Sequence, residues 1–230
     1  MGHLPARAVQ LLSCPTPERR REIGGLVVKH ILGGEPEGPL HQFASRVVNS
    51  LAPAEVATVL GILYCANTSL AAQVVSDLLL PCLETSERRS VLDTATVDRY
   101  LADRVGTSGT TVLTKTRATL VAMLRRFRYL HGLGTYQVRP FQGDAWLILF
   151  AMAVDAHVRR WRSRGLAYVL GGEGLRRLLP AAQSDVRHAL GLGEAAGLLT
   201  VATVGPDQDV VFAGPDALAR VAEELVRRGS

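Results

Sequence analysis

Apolar positions recur at helical spacing along most of the chain, and the interruptions fall at proline and glycine. Residues 1–20, with Pro5, Pro15 and Pro17, read as an irregular arm. Ile23, Leu26, Val27, His30 and Ile31 predict a helix over 18–32, broken by the stretch Gly33-Gly34-Glu35-Pro36-Glu37-Gly38-Pro39. A short helix is expected over 41–49. Pro53, placed where its missing N–H is no loss, opens a third that runs to Leu63. Asn67-Thr68-Ser69 caps a fourth, expected to reach Leu80 and to stop at Pro81. A fifth is expected over 94–104, with Thr94 or Thr96 as its cap.

A loop over 106–111 leads into the clearest amphipathic stretch. Leu113, Thr116, Leu120, Met123, Leu124, Phe127 and Leu130 share one face, and Lys115, Thr119, Ala122 and Arg126 the other. Gly132 and Gly134 are expected to stop this helix, and residues 135–139 predict a strand. From Asp144 a long apolar helix runs into Arg159-Arg160-Trp161-Arg162-Ser163-Arg164. The last third reads as a short helix over 171–179 closed by Pro180, then a helix over 181–196 with Val186, Ala189 and Leu190 inward. A strand over 197–204, a turn at Gly205-Pro206-Asp207-Gln208, a return strand over 209–212 and an amphipathic helix from Pro215 follow. Helix, helix, hairpin is the order of a winged helix. No internal repeat of fixed period is visible. The expected fold is mainly α: a compact multi-helix protein with helix-turn-helix or winged-helix units and one short C-terminal β-hairpin. Three regions are expected: an N-terminal helical one over 1–105, a central basic one over 106–165 and a winged-helix-like one over 166–230.

Composition narrows the classes. The 230 residues are 47% apolar and 20% charged, which suits a globular chain and excludes disorder. Aromatics are 5%, too few to build stacking platforms for single strands. Three cysteines (Cys14, Cys65, Cys82) without close spacing argue against a disulfide scaffold and suit a reducing cytoplasm. Met1 is followed by no basic stretch with a long apolar core, so no signal peptide is expected. The longest apolar runs, 56–66 and 145–154, fall short of the roughly 18–20 residues that span a bilayer. They read as buried core helices, and no membrane association is expected.

Charge is the informative feature. The net charge is +5, but residues 114–187 hold 13 basic and 4 acidic side chains, a net of +9. The remainder is acidic by 4. A basic middle between acidic flanks suits a polyanion, because cations that neutralise phosphates release counterions. A solvated arginine-rich surface would carry the same charges.

Catalytic patterns are scarce. His3, His30, His41, His131, His157 and His188 are scattered and form no zinc-ligand spacing. Gly171-Gly172-Glu173-Gly174 lacks the preceding strand and following Lys or Ser of a phosphate loop. No enzyme activity and no cofactor are expected. Three stretches carry nucleic-acid signals. Thr114-Lys115-Thr116-Arg117 opens a helix, where N–H groups and cations can hold phosphate. Gln183, Ser184 and Arg187 lie on the helix before the hairpin, whose tip is acidic and poor for phosphate, so this unit could instead dock a protein. Residues 159–164 form the densest cationic run, with Trp161 as its anchor. The candidate DNA contacts are Lys115, Arg117, Arg126, Arg160, Arg164, Gln183 and Arg187.

The layout resembles the BrxA family of BREX bacteriophage-exclusion systems. The likeness covers most of residues 20–215 and is carried by three stretches. One is the apolar helix pair from Ala54 through Leu80. The second is Leu113-Thr-Lys-Thr-Arg followed by Leu-Arg-Arg-Phe-Arg-Tyr-Leu130, similar to a family segment in which Ser or Thr, then Thr and a base, precede Leu-Leu and an Arg before Gly-Leu. The third is Ala195-Ala-Gly-Leu-Leu-Thr200 before the hairpin. This chain has Tyr129-Leu130-His131 before its glycine, where the family more often has an acidic or small residue. The resemblance implies a compact helical protein that binds double-stranded DNA without catalysis of its own. It further implies a role in restricting phage, beside a methyltransferase and ATPase. The alternative is an adaptor that docks on a larger partner.

Overall fold

The computed structural model describes residues 16–31, 42, 46–47, 49–84, 91–105 and 109–229. The expected arm before Thr16, the break at 33–39, most of the 41–49 helix and the start of the 106–111 loop lie outside them. In chain order the elements are α1 (Pro17–His30), α2 (Pro53–Asn67), α3 (Ser69–Val74), a π turn (Val75–Leu79), α4 (Leu80–Glu84), β1 (Val91–Asp93), α5 (Thr94–Val105), α6 (Thr110–Arg126), β2 (Leu130–His131) and β3 (Thr135–Val138). The second half continues with α7 (Ala145–Arg159), β4 (Ser163–Gly165), α8 (Leu166–Leu170), a 3-10 turn (Leu175–Arg177), α9 (Gln183–Ala195), β5 (Leu199–Val204), β6 (Asp207–Phe212) and α10 (Ala217–Gly229).

The structure is mostly helical, as expected, with small antiparallel sheets. The expectation of one C-terminal hairpin is corrected: the described residues form two three-stranded sheets, ordered β1-β3-β2 and β4-β6-β5. β1, β2 and β4 escape the pattern because each has only two or three residues, too few to show alternation. In the first sheet Leu92, Leu130, Tyr136 and Val138 face the core, while His131, Thr135 and Gln137 face out. The register pairs Leu92 with Tyr136 and Leu130 with Val138. In the second, Leu199 pairs with Phe212 and Val201 with Val210.

Both sheets are built by one chain order: strand, helix, helix, strand, strand, with the last strand in the middle. The spacing is even. β1 and β4 begin at Val91 and Ser163, and β3 and β6 begin at Thr135 and Asp207, the same offset. The sequence shows no repeat because only the order of elements is shared, not the residues.

Local chemistry explains the element ends. Pro53 stands in the first turn of α2, and Glu55 accepts a hydrogen bond from the Ala52 N–H at 3.1 Å. Asp93, rather than Thr94 or Thr96, caps α5, accepting from the Thr96 N–H at 2.6 Å. That bond holds the Asp93 carboxyl below its usual range. Asp144 caps α7 through the Trp146 N–H at 2.9 Å. Pro81 does not stop the fourth helix. The π turn just before it absorbs the ring and the missing N–H, and the helix continues to Glu84. The helix expected over 171–179 is only a 3-10 turn, with α8 lying ahead of it.

The core centres on α7, whose residues from Trp146 to Ala156 are all buried. α2, α9 and α10 pack around it. That packing accounts for its uniformly apolar sequence. Among the described residues no single helix is long and apolar enough to cross a membrane. α2 and the α3–α4 stretch are bent by 108° to each other.

Candidate nucleic-acid interface

α6 presents its basic face to solvent. Its inner residues Leu120, Val121, Leu124 and the following Phe127 are buried against α5 and α2. Lys115, Ala118, Thr119, Ala122, Arg125 and Arg126 are exposed. Eleven residues make about three turns, so Lys115 and Arg126 share one face roughly 16 Å apart along the axis. The side chains between them are small. Arg117 is placed differently: it is half-buried and its guanidinium donates to Asp98 of α5, so its charge is already met.

α6 ends earlier than Gly132. Arg128 adopts φ +67, and the Tyr129 N–H bonds the Leu124 carbonyl at 2.9 Å, a Schellman closure with arginine in the glycine position. Gly132 and Gly134 instead shape the turn between β2 and β3, with Leu133 at its tip. Arg128 and Arg139 line a cavity of about 140 Å³ with Glu55, Thr58 and Gln142. Arg125, Arg128 and Arg139 were not among the sequence candidates. The signal for Arg125 was its neighbour in the basic run; Arg128 and Arg139 needed the hairpin to join them.

α9 occupies the corresponding place in the second half. Gln183, Ser184 and Arg187 are exposed, as read from the sequence, and so is His188, while Val186, Ala189 and Leu190 are buried. Aligned on the Arg128 and Gly197 closures, Ser184 stands where α6 has Lys115, and Glu194 where it has Arg125. The turn between β5 and β6 is Gly205-Pro206, followed by Asp207. α9 packs on α7, α8 and β5, whereas α6 packs on α5, β2 and α2. The two helices thus belong to separate packing neighbourhoods.

The 159–164 run is anchored as expected by Trp161, which stacks on Phe212 with centroids 5.5 Å apart. Its Nε1 donates to Asp155 at 3.0 Å. Asp155 is fully buried and also accepts from Tyr168 (3.1 Å) and Arg177 (3.2 Å), with Arg159 at 3.5 Å. Burial first, then the Asp155 carboxylate, raises the Tyr168 hydroxyl pKa. Arg159 and Arg177 are therefore structural. Arg160 is exposed at φ +56 at the end of α7, and Arg164, on β4, lies over the Tyr168 ring at 5.6 Å. The seven sequence candidates therefore fall into three groups: the outer face of α6 with Arg117 behind it, the outer face of α9, and the end of α7 with β4.

Compared with known proteins, the chain matches no family model, no curated relative and no solved structure.

Proposed function

We propose that the chain is a non-enzymatic double-stranded DNA-binding protein built from two winged-helix units. The order strand, helix, helix, strand, strand, each set following a core helix, is that of a winged helix. α6 then stands as the recognition helix, with α9 as its counterpart in the second unit. The observation that carries the reading is the outer face of α6. Lys115 at one end and Arg125 and Arg126 at the other flank Ala118, Thr119 and Ala122. Small side chains let such a helix sit deep in a major groove about 12 Å wide, while cations at its ends reach the phosphates on either side. Binding of this kind is largely electrostatic and weakly selective for sequence.

The second unit favours a second reading for itself. Glu194 and the acidic turn at Asp207 oppose phosphate, so we assign α9 and its hairpin to a protein partner. The resemblance to BrxA supplies the proposed setting, a phage-defence complex with methyltransferase and ATPase components.

The test is fluorescence anisotropy on duplex DNA at several salt concentrations. Lys115→Ala with Arg126→Ala should weaken binding on all sequences about equally and lower the salt slope by about one unit per lost contact. Unchanged affinity and slope in a variant that melts like the parent would remove α6 as the DNA surface.

A further inference from the structure

Leu133 is 81% exposed, more than any other large apolar side chain among the described residues, the next being Val204 at 57%. A lone exposed leucine is ordinary on a protein surface. This one is held in place by its surroundings. It sits at the tip of the β2–β3 turn between Gly132 at φ +102 and Gly134 at φ +77. A Cβ on Gly132 would lie 2.4 Å from the Thr135 carbonyl oxygen, so the turn closes only around glycine. The Thr94 hydroxyl, at the start of α5, donates to the Gly134 carbonyl at 2.6 Å and ties the tip to the helix pair. The tip is therefore a fixed apolar point.

Its setting holds two arginines with two carboxylates, Glu55 beside the arginines and Asp93 on the neighbouring strand. His131 and Gln137 are exposed on the same hairpin, and Arg128 and Arg139 flank its base. Asp93, across from Thr135, is turned to cap α5. The equivalent turn of the second half carries Asp207 directly after Gly205-Pro206. An apolar tip with cations behind it suits a polyanion with an apolar interior. Duplex DNA offers both, phosphates outside and base stacks within. Apolar side chains inserted from the minor groove between base steps unstack and kink the duplex.

We propose that Leu133 is a minor-groove wedge, inserted between base pairs while α6 lies in the adjacent major groove, so that binding bends the DNA. This rests on the DNA-binding reading above. It implies a preference for flexible pyrimidine–purine steps, which unstack most easily.

The experiment uses the full chain and a duplex of about 30 bp carrying a donor and acceptor at its ends and 2-aminopurine beside a central TA step. Anisotropy reports binding, energy transfer reports bending, and 2-aminopurine brightening reports unstacking. The parent should bind, shorten the end-to-end distance and brighten the probe. Leu133→Ala should still bind with the parental salt slope but lose bending and brightening. Leu133→Phe should keep both, and Thr94→Val, which frees the tip, should weaken both. Binding by the parent without bending overturns the wedge and leaves the DNA reading standing, as does a Leu133→Ala variant that bends DNA like the parent. Failure of the parent to bind at low salt overturns both readings. Flotation with anionic vesicles that needs Leu133, without DNA bending, would make the tip a membrane contact instead.

Discussion

Asp155 and Trp161 close the end of α7 onto the second sheet, the fully buried carboxylate accepting from the indole N–H at 3.0 Å. Arg177 reaches the same carboxylate from the 3-10 turn at 3.2 Å, so one buried anion joins three segments. Removing one partner of a buried charge pair leaves the other uncompensated, at about 3–5 kcal/mol. Asp155→Ala should lower Tm by roughly 6–20 °C for a chain of this size. A thermal melt by circular dichroism checks this, and a Tm within a degree or two of the parent would show that water replaces the carboxylate.

Arg117 and Lys115 are two residues apart and should behave oppositely. Arg117 is partly covered and paired with Asp98 across the α5–α6 contact, whereas Lys115 is exposed. Arg117→Ala should cost stability by about 0.5–1 kcal/mol, the scale of a solvent-screened pair, and leave the salt dependence of DNA binding unchanged. Lys115→Ala should do the reverse. Parallel melts and salt titrations separate the two, and a fall in slope with Arg117→Ala would mean that its guanidinium leaves Asp98 for phosphate.

Cys65 is buried in α2, and burial pushes its thiol pKa up to about 12. At neutral pH it is a thiol, not the reactive thiolate. Iodoacetamide at pH 8 should leave the Cys65 peptide unmodified in the native protein and label it fully in denaturant. Rapid native labelling, read by peptide mass, would show that α2 opens readily.

The helices with long, one-sided apolar faces were legible from the sequence, because period and burial coincide in α6, α9 and α10. The outward placement of Lys115, Arg126, Gln183 and Arg187 followed from the same argument. The first sheet was only half visible. β3 alternates over four residues, but Val91–Asp93 and Leu130–His131 are too short to carry a period, and they pair with residues more than forty positions or one turn away. The pairing of Arg117 was not legible, because periodicity cannot see Asp98 on the neighbouring helix. Gly132 and Gly134 were read as the stop of α6, but they shape a hairpin and Arg128 closes the helix. Nothing in the residue type foretells an arginine at positive φ.

That arginine supports the last prediction. Arg128 closes α6 in the left-handed region, where Gly197 closes α9 with the same pair of hydrogen bonds. The left-handed conformation costs a residue with a Cβ about 1–2 kcal/mol, and glycine costs about 0.5–1 kcal/mol in chain entropy. Arg128→Gly should therefore stabilise the fold by about 0.5 kcal/mol, a Tm rise of about 1–2 °C. The reciprocal Gly197→Ala should destabilise it by a similar amount, about 0.5 kcal/mol, the backbone strain less the entropy glycine loses, since nothing lies within 4 Å of the added Cβ. A side chain held where a smaller one would be more stable suggests use, and backbone strain of this kind gathers at functional sites. Arg128 is exposed beside Arg139 at the base of the hairpin that carries Leu133. If Arg128 meets phosphate, Arg128→Gly should bind duplex DNA more weakly and with a salt slope lower by about one unit, while melting higher. A variant that melts higher and binds unchanged would show that the strain at Arg128 has no part in DNA binding.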